Sequence, residues 1–394
     1  MTIRILCLTG TLLFATAINA AEFASPKVSA AAKATVPAQK KSPPRIQLAI
    51  LLDTSNSMDG LINQARTQLW KIVNELATTR RDGMIPHLEV ALYEYGNDSI
   101  SAEKLHVRKA ASFTQDLDRV SEVLYALTTN GGQEYCGAVI EKSLAGLDWN
   151  DCDADLQMIV IAGNEPFSQG PVDYHESCRA AINHGITITT IFCGSEHDGI
   201  NTGWKDGALL AEGSYLWIDQ NEPAATIPTP FDDKLSTLSI QINSTFLFYG
   251  NQKDARENAA RQEAQDTNAA AAAPAAAAER AAFKSSAQYQ RASRDLIDAL
   301  ASGTVTLEAL DPEDLPADLR SLSRDEQQKI ILSKTAERQR IRDEIQELTQ
   351  QRQKFLDDAL KTTGDESRNT LDAALLQAVR EQATRKQFTL PSGK

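Results

Sequence analysis

The apolar run Ile46-Gln47-Leu48-Ala49-Ile50-Leu51-Leu52 passes directly into Asp53-Thr54-Ser55-Asn56-Ser57, and an amphipathic stretch from Gly60 to about Thr79 follows. A near-continuous apolar run of this length is a strand buried on both faces, of the kind found inside a parallel sheet. The loop that leaves it carries one carboxylate and two hydroxyls at alternate positions, Asp53, Ser55 and Ser57, which make a small all-oxygen cup. Hard cations such as Mg2+ or Ca2+ prefer such donors. The helix behind the loop aims its N-terminal amides at the same place, where an anionic ligand on the ion would also be favoured. A plain strand-turn-helix capped by Ser or Asp would use the same residue types, so the argument turns on what surrounds the loop.

Between residues 45 and 250 apolar strands alternate with amphipathic helices, the mark of an α/β fold with a parallel sheet. Strands are expected at Ile46–Asp53, Leu88–Tyr95, Leu105–Ala111, Gln157–Gly163, Ile186–Cys193 and Tyr215–Asp219. Helices are expected at about 60–79, 115–127, 135–147, 173–184, 204–212 and 232–248. The second and third strands lie close together across Gly96-Asn97-Asp98-Ser99, which predicts a hairpin and one antiparallel edge strand. Leu61, Ala65, Leu69, Ile72, Val73 and Leu76 recur at three-to-four spacing and give the first helix its core face, with Trp70 read as packing. Open sheets of this class bind ligands beyond the carboxyl ends of their strands. The loops emerging there carry Asp53–Ser57, Gln133–Glu134, Gly163–Glu165 and Ser195–Gly203. The last holds His197, Asp198, Asn201 and Trp204, either a rim for partner contact or an ordinary polar loop.

On these residues the segment from about 45 to 250 resembles the von Willebrand factor type A domain. That family's metal-ion-dependent adhesion site begins with Asp-x-Ser-x-Ser on the first strand-helix loop, and Asp53, Ser55 and Ser57 match it. The resemblance implies a doubly wound, mostly parallel six-stranded sheet. It also implies a binding or adhesion module in which a divalent cation, Mg2+ or Ca2+, is completed by an Asp or Glu of a protein partner. The family adds a Thr from a second loop and an Asp from a third. Here the second loop reads Thr129-Asn130-Gly131-Gly132-Gln133-Glu134-Tyr135-Cys136, with Gln133 or Glu134 where the Thr belongs. The third strand end reads Ile159-Val160-Ile161-Ala162-Gly163-Asn164-Glu165-Pro166, with Gly163 on the position of the Asp. Glu134 and Glu165 are the carboxylates at hand to replace it, since Glu reaches a methylene further than Asp. The expected metal set is therefore Asp53, Ser55, Ser57, Glu134 and Glu165.

At 394 residues the chain has room for about two to three domains. Its 53 acidic against 40 basic residues, and the lack of any basic-aromatic cluster, argue against nucleic-acid binding. Arg4, the apolar run Ile5–Ile18 and Asn19-Ala20-Ala21 read as a secretory signal over residues 1–20. Residues 21–44, rich in Ala, Lys, Pro and Ser, read as a flexible linker. No other stretch approaches the roughly 18 apolar residues of a spanning helix, so the mature chain is expected to be exported, periplasmic or secreted, without a transmembrane segment. In that compartment Cys136, Cys152, Cys178 and Cys193 are expected to form two disulfides, with all three pairings open. A bridge from Cys136 to Cys193 or Cys178 would pin the second loop.

After Gly250 the composition changes. Residues 251–282, with the run Ala269–Ala278 broken by Pro274, read as an Ala-rich spacer, partly helical or disordered. Residues 283–394 read as helical, at about 286–302, 324–361 and 367–385, with a turn at Asp311–Pro316. In the long helix Ile341, Ile345, Leu348 and Phe355 follow heptad spacing interrupted at Arg352, which suggests a short coiled coil, a hairpin or bundle, and self-association through it. The chain carries neither Gly-x-Ser-x-Gly nor His-Glu-x-x-His nor a phosphate-cradling glycine loop, which argues against an enzyme. A metal-free structural or assembly scaffold, using the same fold and the helical tail, is the alternative to a cation-dependent binder.

Overall fold

The computed structural model describes residues 43–219, 227–289, 293–363 and 371–389. The expected signal segment and the linker as far as residue 42 lie outside the described residues. In chain order the first part comprises β1 (Arg45–Asp53), α1 (Asp59–Thr78), β2 (His87–Tyr95), β3 (Val107–Thr114), α2 (Leu117–Ala126), α3 (Cys136–Gly146), β4 (Leu156–Gly163), α4 (Tyr174–Asn183), β5 (Thr187–Cys193), α5 (Glu196–Asn201), α6 (Trp204–Leu210) and β6 (Tyr215–Ile218). The strands form one sheet in the order β3-β2-β1-β4-β5-β6. All neighbours are parallel except the antiparallel edge pair β2–β3. This is the doubly wound, mostly parallel six-stranded α/β class expected from the sequence, followed by the expected helical region.

β1 is buried from its second residue onward, and its alternation serves both faces. Leu48, Ile50 and Leu52 join the core under α1 and α2 with Leu61, Leu69 and Leu76. Ala49 and Leu51 join the core under α3, α4 and α6 with Val139, Ile140 and Trp204. The register sets Asp53 opposite Tyr95 and Leu52 opposite Ala162. The loops leaving β1, β2 and β4 therefore start at one level. Chain order reverses on either side of β1, which makes this the topological switch point where such sheets open a crevice. Two details differ from expectation. β3 begins at Val107 rather than Leu105, because Leu105 and His106 adopt left-handed backbone angles (φ 55° and 53°) after a 3-10 turn and cannot continue a strand. The polar loop after β5 winds into the short helix α5, capped by the Ser195 side chain on the Asp198 amide.

The helical region comprises α7 (Asp232–Gln241), α8 (Gln252–Ala272), α9 (Pro274–Ser285), α10 (Leu296–Ala301), α11 (Arg324–Thr363) and α12 (Leu371–Arg385). It is no separate domain, for Pro43–Lys394 cluster as a single compact unit. The segment read as a spacer is two ordered helices, broken where Ala273 turns extended and Pro274 opens α9, the first-turn position that suits proline. Its alanines let helices approach closely. Ala269, Ala278 and Ala281 are buried beside Phe283, whose ring stacks on Trp70 of α1 at 5.3 Å. Ile341 and Ile345 of α11 and Leu375 and Val379 of α12 enter the same core. The first part of the heptad-like stripe is thus an intramolecular face, while Phe355 at its end is 40% exposed. Arg352, which breaks it, is itself buried and reaches Asp232 at 2.8 Å and Glu279 at 2.7 Å. Among the described residues no helix is long and apolar enough to cross a membrane.

The four cysteines among the described residues are free thiols, where two disulfides were expected. Cys193 packs on the α1 side of the sheet, and Cys136 and Cys178 pack on the other. The sheet therefore stands between Cys193 and either proposed partner, while Cys152 is exposed on the loop before β4. Burial raises the Cys136 and Cys193 thiols well above their ordinary range and the Cys178 thiol to about 12.

Charges that look like a solvated face in the sequence hold the helical layer. Arg280 is fully buried, pairs with Asp118 of α2 at 2.5 Å and Asp266 of α8 at 2.8 Å, and lies 4.4 Å over the Trp70 ring. Lys284 pairs with the same Asp266 at 2.9 Å, and burial brings its ammonium down to about 8. Breaking such a pair strands an uncompensated buried carboxylate. Arg280→Met should lower the unfolding free energy by about 3–5 kcal/mol in a urea titration. Lys253→Met, which removes only an exposed contact to Glu257, should leave the midpoint where it was.

Candidate functional site

Asp53 ends β1 and is fully buried. Its Oδ1 accepts the Ser55 amide at 2.8 Å, while Oδ2 has no hydrogen-bond partner among the described residues. Thr54 turns the other way. Its amide donates to the Tyr95 carbonyl at 2.9 Å, and its carbonyl accepts from the Asn130 amide at 3.0 Å and the Asn97 Nδ2 at 3.3 Å. Thr54 thereby ties the first loop to β2 and to the second loop. Alternate residues 53, 55 and 57 are left facing the crevice. The Ser55 and Ser57 hydroxyls lie 3.3 Å apart, and Asn164 Nδ2 donates to Ser57 Oγ at 3.1 Å.

The second loop settles between Gln133 and Glu134. It crosses so tightly over β2 that a Cβ on Gly132 (φ 143°) would lie 1.5 Å from the Gly96 carbonyl oxygen. Only glycine allows that passage. The crossing delivers Glu134 inward, with its amide donating to Gln169 Oε1 at 2.5 Å, and leaves Gln133 exposed. The Glu134 carboxyl is buried and shares hydrogen bonds with Asp53 and Ser55, and its Oε2 has no partner.

The third loop shows why no acid stands at position 163. A Cβ there would lie 2.4 Å from the Tyr95 hydroxyl and 3.1 Å from Asp53 Oδ2. That hydroxyl, donating to the Ala162 carbonyl at 3.0 Å, occupies the space a side chain would need. Glu165, two residues on, is half-buried at the margin, close enough for its charge to act on both Asp53 and Glu134. Of the expected set, Asp53, Ser55, Ser57 and Glu134 come together and Glu165 flanks them. Sequence reasoning missed Asn164 and Tyr95. The polar residue directly after the Gly163 strand end was a usable signal for the first; an aromatic inside an apolar strand gave none for the second.

Burial pushes the Glu134 carboxyl up to about 9, with the Asp53 charge adding to it. Burial likewise raises Asp53 to about 6, against the opposing hydrogen bonds from Glu134 and Ser55. Both shifts run toward the protonated form. Asp53 Oδ2, Glu134 Oε2 and Asn164 Oδ1 are nonetheless buried acceptors without partners, each costing about 1–3 kcal/mol when nothing satisfies it. Two carboxylates, two hydroxyls and an amide oxygen form a donor set suited to Mg2+ or Ca2+. Among the described residues no cluster of three or more His, Cys, Asp and Glu side chains is placed to hold a metal.

Neither a family model nor a curated relative matches this chain. Solved structures do. A conserved hypothetical protein, BatB, from Bacteroides thetaiotaomicron is 14% identical over 44% of this chain and 90% of that one, with a TM-score of 0.34. The SpRpn10 VWA domain is also 14% identical, over 44% and 88%, with a TM-score of 0.34. An aerotolerance-related membrane protein from Bacteroides fragilis NCTC 9343 is 15% identical over 44% and 92%, with a TM-score of 0.31. The fold class itself rests on the strand order and register described above.

Overpacking by Gly163→Ala should cost about 1–3 kcal/mol in chemical denaturation, and adding Tyr95→Phe should return part of that loss. Equal losses with and without the Tyr95 hydroxyl would place the constraint elsewhere. Both carboxyl shifts are upward, so the folded protein holds protons that the unfolded chain releases. In the presence of a chelator, this pair's own contribution to stability should be fully present below about pH 4 and be lost as the pH rises toward about 9. Thermal melts of Glu134→Gln should show a flatter slope than wild type between about pH 5 and 8.

Proposed function

We propose that this chain is an exported binding module that recognises a protein partner through a divalent cation, and that it is not an enzyme. The observation that carries the reading is the pair of buried, partnerless carboxylate oxygens, Asp53 Oδ2 and Glu134 Oε2, beside the hydroxyls of Ser55 and Ser57. Asp53 and Glu134 would bind the ion as charged ligands, Ser55, Ser57 and Asn164 as neutral ones, with Glu165 at the edge. Once bound, the ion supplies a local positive charge and open positions for an oxygen of the partner. The chain's own part is to hold those oxygens in place, through the Thr54 ties and the Tyr95–Ala162 bond. Export follows from the Arg4-led apolar segment of the sequence.

A second reading, a metal-free scaffold, is favoured by one specific contact. The Asp53–Glu134 hydrogen bond lets a proton take the place of an ion. Calorimetric titration of the purified chain with Mg2+ and Ca2+ separates the two. The expected result is saturable binding with little discrimination between the ions, because a Glu-supplied cup departs from the near-octahedral geometry Mg2+ prefers. Proton release on binding should rise as the pH falls from about 9. Asp53→Ala should abolish the signal in a folded protein, and Glu134→Gln should weaken it. Wild type giving no saturable heat at neutral pH would leave the scaffold reading standing.

A further inference from the structure

We infer that the face carrying this cup docks a basic polypeptide segment, one presenting Lys or Arg, rather than an acidic one. The inference rests on the cation-site reading above and names the partner chemistry that reading leaves open. Asp53 and Glu134 already match the charge of a divalent ion, and Glu165 beside them tips the sum negative. The loops at the same end of the sheet carry further exposed acids: Asp59 at the start of α1, Asp98 on the β2–β3 loop, and Glu196 and Asp198 on α5.

The overall acidity of the chain does not account for these acids. The whole chain has 40 Lys and Arg for 53 Asp and Glu, which is not far from parity. In the loops of this face (54–60, 96–106, 128–135, 164–173 and 194–203) the one Lys or Arg is Lys104. Among the described residues no Lys or Arg pairs with Asp59, Asp98, Glu165, Glu196 or Asp198. Asp98 faces His106 at 3.9 Å, and Asp59 and Asp198 accept from the Thr129 and Ser195 hydroxyls. Ile200, 41% exposed on α5 beside Glu196 and Asp198, offers apolar surface to the aliphatic stem of a Lys or Arg.

The other sign of a ligand lies in the cup itself. There the fully buried Asp53 and nearly buried Glu134 each keep an oxygen without a partner. A partner approaching through a carboxylate would carry its charge into a field of the same sign, which disfavours encounter and specific docking. A partner oxygen that completes an ion's shell here is on this account a neutral one, a backbone carbonyl or a hydroxyl, flanked by cationic side chains.

The test measures binding of labelled octalysine and octaglutamate peptides to the full chain, with saturating Mg2+ and with chelator. Octalysine should bind, should weaken steeply as salt is raised, and should weaken by about tenfold or more in Asp98→Asn/Glu196→Gln/Asp198→Asn. The opposite-face variant Asp151→Asn/Asp153→Asn should bind octalysine like wild type. Octaglutamate should not bind under either condition. Mg2+-dependent octaglutamate binding, absent octalysine binding, or octalysine binding unchanged by the rim variant would each overturn the inference. If the triple variant fails to fold, Glu196→Gln alone is read instead, with a smaller loss expected and no loss counting against the inference. Mg2+ titration of the same samples keeps the two claims apart. Rim-dependent octalysine binding without any Mg2+ binding would sink the cation reading and leave the basic partner standing.

Discussion

A carboxylate fully buried at the end of the central strand is the constraint around which this molecule is organised. Asp53 sits where two core faces and three loops meet, and an isolated buried charge there would be prohibitively costly. The surroundings answer in three ways. The Ser55 amide takes one oxygen, the Asp53 carboxyl is raised toward its protonated form beside Glu134, and Thr54 faces backward to lock the loop that bears both serines. What remains is a partnerless Asp53 Oδ2 next to a partnerless Glu134 Oε2. A fold that only needed the turn could have placed an Asn or a Ser at that strand end and avoided the cost.

Packing around Asp53 also explains how the site departs from the pattern its first loop resembles. Tyr95 pairs with Asp53 across β1 and β2, and its hydroxyl fills the space beside β4. Any side chain at position 163 would collide with it. The second acid therefore has to come from elsewhere, and the glycine-dependent crossing of the second loop over Gly96 brings it from position 134. Tyr95, Gly132, Glu134 and Gly163 form one steric solution, and exchanging a single member disturbs the others. Behind the first loop, α1 is held from its far side by Phe283 on Trp70 and by the Arg280–Asp118–Asp266 cluster. The helical region thus buttresses the helix that supports the cup.

The sheet was legible in the sequence because each strand is a short apolar run bounded by turn residues, and because α1 keeps a strict three-to-four apolar spacing. The cup's first three oxygen-bearing residues, Asp53, Ser55 and Ser57, were legible for the same reason, lying in a fixed frame just past a recognisable strand. Three features were not. Tyr95 reads as core, since nothing in a linear pattern reveals that its hydroxyl points at the third loop. The Ala-rich α8 and α9 have no apolar stripe, because they pack through alanines and bury Arg280 and Lys284 as ion pairs with Asp266. The cysteine count suggested bridges, but strand alternation puts Cys193 across the sheet from Cys136 and Cys178, and that becomes visible only once the face of each residue is known.

The central claim is that the Asp53 and Glu134 oxygens left without hydrogen bonds are ligands for a divalent ion. Anomalous diffraction from crystals soaked in Mn2+, which shares the oxygen preference of Mg2+, tests it most directly. The account predicts a single strong peak bonded to Asp53 Oδ2 and Glu134 Oε2, with the Asp53–Glu134 hydrogen bond broken and the Ser55 and Ser57 hydroxyls turned toward the ion. An empty cup at saturating Mn2+, with Glu134 still hydrogen-bonded to Asp53, would contradict it.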